Sequence, residues 1–460
     1  MKNAKKYYLA VFGCQMNWSD AERIAALFES IGLKKTDKME CSDIAIVVMC
    51  SVRQMAANRI FGLEQKIKLA KQKNKNFIAI LTGCVVESDK EYFSKIFDQI
   101  LDIKELPQWP NILKSKIGRG KTPVNLNSAV GQTHAKLRGS DPRKSNEDYF
   151  NILPKHCSKF SALIPISKGC DNFCSYCVVP YTRGRLVSRP ANDILREAKQ
   201  AIANGAKEIW LLGQNVNNYH DQGVNFAKLL RMANDISGDF WIRFTSPHPK
   251  DFDDAAVLAM AECQKATPYL NLPIQSGDDA ILKAMKRPYT AAQYKTLVKK
   301  IRAAFKKQRQ GLEKEIAIST DVIVGFCGET KTQFQNTAKL FKEIKYDMAY
   351  ISRYSRRAGT AAADMEDNVS DQEKKRREEI LNDIVKITAL AHNKKYIGKT
   401  VDVLVQTVKN NFALGKSRHY KTVKFPLGKH DIKAGDIIQA NIVRVMPFGL
   451  FGKINSKVKS

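Results

Sequence analysis

No run of about eighteen apolar residues occurs in the 460-residue chain, so no membrane-spanning helix is expected. The start, MKNAKKYYLAVFGC, has neither a long apolar stretch nor a small-residue cleavage site. A secretory signal is therefore not expected, and the expected location is the cytoplasm. Acidic residues are in short supply: 46 Asp+Glu stand against 76 Lys+Arg, a formal net charge of +30. Such an excess favours a polyanionic partner, because neutralised phosphates release counterions. In a reducing compartment the ten cysteines read as ligands or buried thiols, not disulfides.

The length suggests several domains. Residues 1–118 alternate apolar runs (YYLAVFGC, DIAIVVMC, FIAILTGC) with amphipathic stretches such as SDAERIAALFESIG, the pattern of a parallel α/β sheet. Residues 119–156 are polar and rich in Gly, Ser, Asn and Lys, and read as a linker. Residues 157–388 resume the alternation six times, which fits a partial (β/α)6 barrel with its chemistry at the C-terminal strand ends. The run 370–395 reads as one long helix. Residues 389–460 carry short strand patterns, the mark of a small all-β barrel. From 394 onward 14 Lys+Arg face 3 Asp+Glu, a net of +11. With Phe412, Tyr420, Phe425 and Phe448 this resembles a nucleic-acid module, unless those aromatics are simply the barrel core.

Cys170, Cys174 and Cys177 form CxxxCxxC after the first strand of the central region. A 4Fe-4S cluster is normally held by four thiolates, so three leave one iron open to an outside ligand. Zinc sites also use thiolates, and His156 and Cys157 upstream could complete a tetrahedron. Cys14, Cys50 and Cys84 lie 36 and 34 residues apart, each ending a predicted strand. In a parallel sheet those ends share one edge, so a second three-thiol site is expected there. Cys41, Cys157, Cys263 and Cys327 show no such pattern.

With these motifs the chain resembles the methylthiotransferase family of radical SAM enzymes, in its MiaB-type tRNA branch. The likeness runs through FGCQMNWSDAERI (12–24), TGCVVES (82–88), KGCDNFCSYCVVPYTRGR (168–185), LLGQNVNNY (211–219), IRFTSPHP (242–249), LPIQSG (272–277) and STDVIVGFCGET (319–330). The C-terminal barrel is similar to a TRAM domain.

The resemblance implies two 4Fe-4S clusters. The cluster on Cys170, Cys174 and Cys177 would bind and split S-adenosylmethionine, with Tyr176 covering one side. The auxiliary cluster on Cys14, Cys50 and Cys84 would carry sulfur. It further implies that Gly213, Gln214 and Asn215 meet the methionine amino group, Gln275 and Ser276 the ribose, and Ile323, Val324 and Gly325 the adenine. The implied substrate is N6-(dimethylallyl)adenosine 37 of tRNA, methylthiolated at C2. A sulfur donor and a reductant such as flavodoxin or ferredoxin would be needed, and a monomer is expected. Sister branches act on threonylcarbamoyladenosine or on a ribosomal-protein aspartate. A non-catalytic RNA-binding iron–sulfur protein is the reading from another class. Val48 and Met49 replace the usual Asn-Thr, Gln54 the usual Glu, Cys327 a Pro, Arg356 and Ala358 prolines, and Asn271 a His. None of these removes a cluster cysteine.

Overall fold

A computed structural model describes residues 4–51, 59–117 and 149–459. Strands β1 (Lys6–Val11), β2 (Lys34–Lys35), β3 (Ile44–Cys50), β4 (Ile78–Cys84) and β5 (Gln99–Ile100) form a parallel sheet ordered β2-β1-β3-β4-β5. Strand β3, IAIVVMC, is buried along its whole length. Ile44, Ile46 and Val48 pack with the Gln15–Ser30 helix, whereas Ala45, Val47 and Met49 pack with the Glu64–Lys73 helix on the other face. A strand covered on both faces needs an unbroken apolar run, not alternation.

The central region contains β6 (Ser161–Pro165), the short pair β7 (Ser167–Lys168) and β8 (Val187–Ser188), β9 (Glu208–Leu212) and the hairpin β10 (His220–Asp221) with β11 (Val224–Asn225). It continues with β12 (Trp241–Phe244), β13 (Tyr269–Asn271), β14 (Ala317–Val324) and β15 (Met348–Arg353). Strands β6-β9-β12 and β13-β14-β15 form two parallel sheets joined by the parallel bridge Ile242–Ala266. The result is the expected open arc of six strands. Helices Ala291–Gln308 and Lys331–Ile344 both start in capping boxes, Thr290 with Gln293 and Thr330 with Gln333. The long helix spans Asp371–Lys394, capped by Ser370.

Strands β16 (Thr400–Lys409), β17 (Phe412–Ser417), β18 (Thr422–Pro426), β19 (Ile437–Met446) and β20 (Gly449–Lys459) close a five-stranded barrel. Phe425 lies in its core, while Phe412 and Phe448 are 42% and 45% exposed. Tyr420 leaves the barrel altogether. It stacks on Tyr269 at 4.6 Å and meets Trp210 edge-on, plugging the open end of the central arc. The barrel thus docks where the central strands begin, and Lys421–Asp347 (2.6 Å) ties it there.

Residues 119–148 lie outside the described residues, as does Gln54. Tyr149, Phe150 and Ile152 pack in the core of the N-terminal domain. Among the described residues no helix is long and apolar enough to cross a membrane.

The N-terminal domain is locked to the central arc by a buried triad. Arg23 of the first helix and Arg189 both bind Glu197, at 3.1 and 2.6 Å. Replacing Glu197 by Ala leaves two buried guanidiniums without their counter-ion, so a loss of about 3–5 kcal/mol is expected in denaturant unfolding. Burial raises the Glu197 pKa, but Arg23 and Arg189 more than offset it and leave it lowered. The triad's contribution is therefore present above the ordinary glutamate pKa of about 4.3, and is lost as pH falls through the lower folded value.

Candidate functional site

Cys50 and Cys84 are direct partners in the β3–β4 register, so both thiols occupy the same face at the C-terminal edge. Phe12 still pairs with Val48, which brings the following Gly13-Cys14 turn over Cys50. A Cβ on Gly13 would stand 2.8 Å from the Cβ of Cys50. Gly83, at φ +101°, admits no side chain either, since its Cβ would meet the Met49 carbonyl at 2.3 Å. The three expected cysteines converge because the glycine before each of two of them lets the backbone close in.

Around them lie buried polar groups. The Cys14 Sγ donates to Asn17 Oδ1 (3.2 Å), and Asn17 Nδ2 donates to the Met49 carbonyl (2.6 Å). Burial pushes the Cys14 thiol up. Cys84 is pulled the other way, to about 6, by a hydrogen bond from Cys50 and by Arg183, against the cost of burial. Arg183 Nε donates to Cys84 Sγ at 3.1 Å.

Cys170, Cys174 and Cys177 line a cavity of about 340 Å³ at the C-terminal ends of the central strands. Burial raises Cys170, and burial with the nearby Cys174 raises Cys177 to about 12. Crowded, buried thiols resist ionisation unless a cation joins them, a charge that the irons of a cluster would supply. Among the described residues no three His, Cys, Asp or Glu side chains gather around a single metal ion. In a cube each thiolate takes a different iron, so such gathering is not required. Of the two residues considered as zinc ligands, His156 meets Glu22 of the first helix through its ring Nδ1 (3.0 Å), whereas Cys157 donates to Glu22 only through its backbone N–H (2.8 Å) and is exposed.

The other expected contacts divide by strand alternation. Tyr176, Gln214, Gln275 and Ile323 line the cavity. Gly213 packs under Ser167 Oγ. Asn215 is buried and donates to Asp251 (2.7 Å). Ser276 is fully buried and turned to Thr337 of the neighbouring helix. Val324 falls on the helix-facing side of β14, one residue out of phase with Ile323. Gly325 is pressed against the Lys374 side chain, which its Cβ would meet at 2.3 Å. Asn215, Ser276, Val324 and Gly325 shape the wall from behind and do not line the cavity.

Four residues without an assigned role from sequence matter here. Arg287 is buried, donates to Pro273 O and Tyr289 Oη, and lies 3.6 Å from Cys174 Sγ. Asp321 lines the cavity with its carboxylate held by Asn271 (2.8 Å), one of the departures from the family pattern. His248 Nδ1 accepts from Lys250 N (3.2 Å), which leaves the proton on Nε2. That Nε2 and Gln214 Oε1 are buried without partners in the same cavity wall. Buried polar atoms ordinarily find partners, so this pair fits a polar ligand. Arg183 is the fourth. IRFTSPHP and VVPYTRGR carried family likeness, but only the structure shows which of their side chains turn inward. Val48 and Met49 are fully buried strand residues, and Cys327 packs with Phe326 and Tyr354.

A partial (β/α)6 arc with a CxxxCxxC cavity at its strand ends is the architecture of a radical SAM protein. Residues 164–341 match the Radical SAM superfamily, and residues 6–103 match Uncharacterized protein family UPF0004. The chain is 37% identical over 456 residues to a tRNA-2-methylthio-N(6)-dimethylallyladenosine synthase of Clostridium novyi (strain NT), covering 98% of this chain and 96% of that one. A like-named relative from Thermoanaerobacter sp. (strain X514) is 36% identical, covering 91% and 86%. Among solved structures, the radical S-adenosylmethionine methyltransferase TsrM from Kitasatospora setae aligns with TM-score 0.55 at 13% identity, over 78% of this chain and 74% of that one, a likeness of fold alone. The chain belongs to the tRNA-2-methylthio-N(6)-dimethylallyladenosine synthase family.

Burial, with Arg287 and Lys250 nearby, holds the His248 pKa down to about 2. Its imidazole is thus expected to stay neutral from about pH 5 to 8, where a free histidine titrates. A flat NMR titration of the His248 ring, assigned by a His248→Asn variant, is the expected outcome.

Proposed function

We propose that this chain replaces the C2 hydrogen of N6-(dimethylallyl)adenosine 37 in tRNA with a methylthio group. The observation that carries this reading is the pair of three-thiol sites bound together by one segment. Cys170, Cys174 and Cys177 line the S-adenosylmethionine cavity, and Arg183, six residues on, reaches Cys84 of the other site. The names of the relatives supply the substrate.

Cys170, Cys174 and Cys177 are the proposed ligands of the radical-generating 4Fe-4S cluster, and Cys14, Cys50 and Cys84 those of the auxiliary one. When bound, the first would supply the electron that splits one S-adenosylmethionine to methionine and a 5′-deoxyadenosyl radical, which takes the hydrogen; the second would supply the sulfur, and another S-adenosylmethionine the methyl group. The chain's own residues do the positioning. Tyr176 and Ile323 give the cavity its apolar surface, and Gln214 and His248 offer one acceptor and one donor to the bound cofactor. Asn271 fixes Asp321 on the facing strand. A cavity of about 340 Å³ is of small-molecule size, the usual range being roughly 300–1,000 Å³. The basic barrel is the proposed RNA contact, with Phe412 beneath Lys424 (4.3 Å) and Phe451 beneath Arg444 (4.1 Å) as stacking surfaces. The reading further takes the protein as a cytoplasmic monomer served by a flavodoxin- or ferredoxin-like reductant and a separate sulfur donor.

Two measurements test it. Nucleoside mass spectrometry of tRNA from a strain lacking this chain should show the dimethylallyl nucleoside without its methylthio group. Persistence of the methylthio form, with no second enzyme present, would sink the assignment. In anaerobic assays with dithionite, Cys14→Ala, Cys50→Ala or Cys84→Ala should still release 5′-deoxyadenosine while losing sulfur insertion. Cys170→Ala, Cys174→Ala or Cys177→Ala should lose both. If the first set also stopped cleavage, the division of labour between the sites would be wrong.

A further inference from the structure

Arg183 belongs to the central domain but ends inside the N-terminal one. It closes the short helix Val179–Arg183, two residues beyond Tyr181, and is 2% exposed. Its Nε donates to Cys84 Sγ at 3.1 Å, and one terminal nitrogen reaches Asp20 at 2.7 Å and Asn17 at 3.4 Å. The other terminal nitrogen is buried without a partner. Asp20 is fully buried too, and Tyr149 donates to its second oxygen at 2.5 Å. Cys14, Asn17 and Asp20 follow one another along the start of the first helix. A single buried cation therefore joins the thiol site to a buried carboxylate.

Burying a guanidinium is costly, and one carboxylate would satisfy it with a bidentate grip. Here the fork is divided instead: one edge goes to Asp20 and the Nε–H goes to sulfur. An N–H donated to a ligating sulfur, and a positive charge in a low-dielectric site, both favour the more negative, reduced state of a cluster. A counter-ion placed behind the cation tempers that effect.

We propose that Arg183 is a positioning residue of the auxiliary site, which sets the reduction potential of the cluster through its N–H bond to Cys84, with Asp20 as the opposing charge. The inference rests on the reading of Cys14, Cys50 and Cys84 as that cluster's ligands. The VVPYTRGR segment thereby acquires a role of its own, since the stretch that directly follows one set of thiols also tunes the other set.

The test uses the full chain with Cys170, Cys174 and Cys177 all replaced by Ala, so that only the auxiliary site can load. After anaerobic reconstitution with iron and sulfide, iron content is measured and the midpoint potential read by EPR-monitored redox titration. Arg183→Gln should shift the midpoint to more negative values. Asp20→Asn, which leaves the cation unopposed, should shift it to more positive values. A residue that merely held the domains together would not move the two in opposite directions. Unchanged midpoints, or shifts of the same sign, overturn the proposal. If Arg183→Gln does not fold or load, Asp20→Asn decides alone: a positive shift supports the proposal, and a null or negative shift overturns it. Failure of the triple-Ala parent to bind iron refutes the ligand assignment itself, a distinct result.

Discussion

A guanidinium shut away from water must be answered by charge, and the placing of such answers organises this molecule. Arg183 enters the N-terminal domain and finds Asp20 there, while Arg23 leaves it and finds Glu197. Each is an ion pair between domains with both partners buried. Removing one partner of such a pair costs far more than the pair contributes over an apolar replacement. The strength of this arrangement thus lies in specificity. The docking seen here gives each of these two buried guanidiniums a buried carboxylate, and it puts the C-terminal strand ends of both domains against each other. Two groups of three cysteines, each set at strand ends by its own domain, are thereby held beside a common segment.

Within the central arc the pleat decides what a ligand can meet. Glu208, Trp210 and Leu212 alternate with Ile209 and Leu211 along β9, and Asp321 and Ile323 with Val322 and Val324 along β14. One set packs under the helices, and the other faces the hollow of the arc. The hollow is filled from two sides. Tyr420 enters from the barrel against Trp210 and Tyr269, and Met16 of the first helix packs on Trp210 and Leu212 from the other side. What stays open is the rim at the strand ends, lined by thiols, two orphaned polar atoms and the Asp321 carboxylate.

That physics explains which parts of the site were legible in the sequence. Cysteines at the ends of apolar runs declare themselves, because a parallel sheet gathers strand ends on one edge. The six-strand arc, the long helix and the small barrel were readable from the periodicity of the chain. Side-chain phase was harder. Ser276 and Val324 sit next to cavity residues in sequence, yet one step along a strand or turn points them at a helix. Residues 149–152 read as the tail of a polar linker because two aromatics and an isoleucine are too few to show a pattern, although they pack in a core. Of the four aromatics that the sequence offered for RNA contact, Phe412, Tyr420, Phe425 and Phe448, only Phe412 and Phe448 are exposed. Arg183 and Arg287 carry no periodic signal, and their importance appears only when a sulfur from elsewhere in the chain lies beside them.

The position of the barrel bears on the size of the partner. It docks where the central strands begin, whereas the thiols stand where those strands end. Strand β14 alone has eight residues, a length of about 26 Å at ~3.3 Å per residue. Phe412 stands at the other end of β17 from Ser417, whose carbonyl meets Arg243 of the arc. A free nucleoside is too short to meet the rim and the barrel at once. A polyanion that engages the exposed aromatics and basic residues of the barrel while presenting one base to the rim must reach from the one to the other. A folded RNA stem-loop meets that requirement, which joins the net charge of the C-terminal barrel to the chemistry of the cysteines through geometry and not through composition alone.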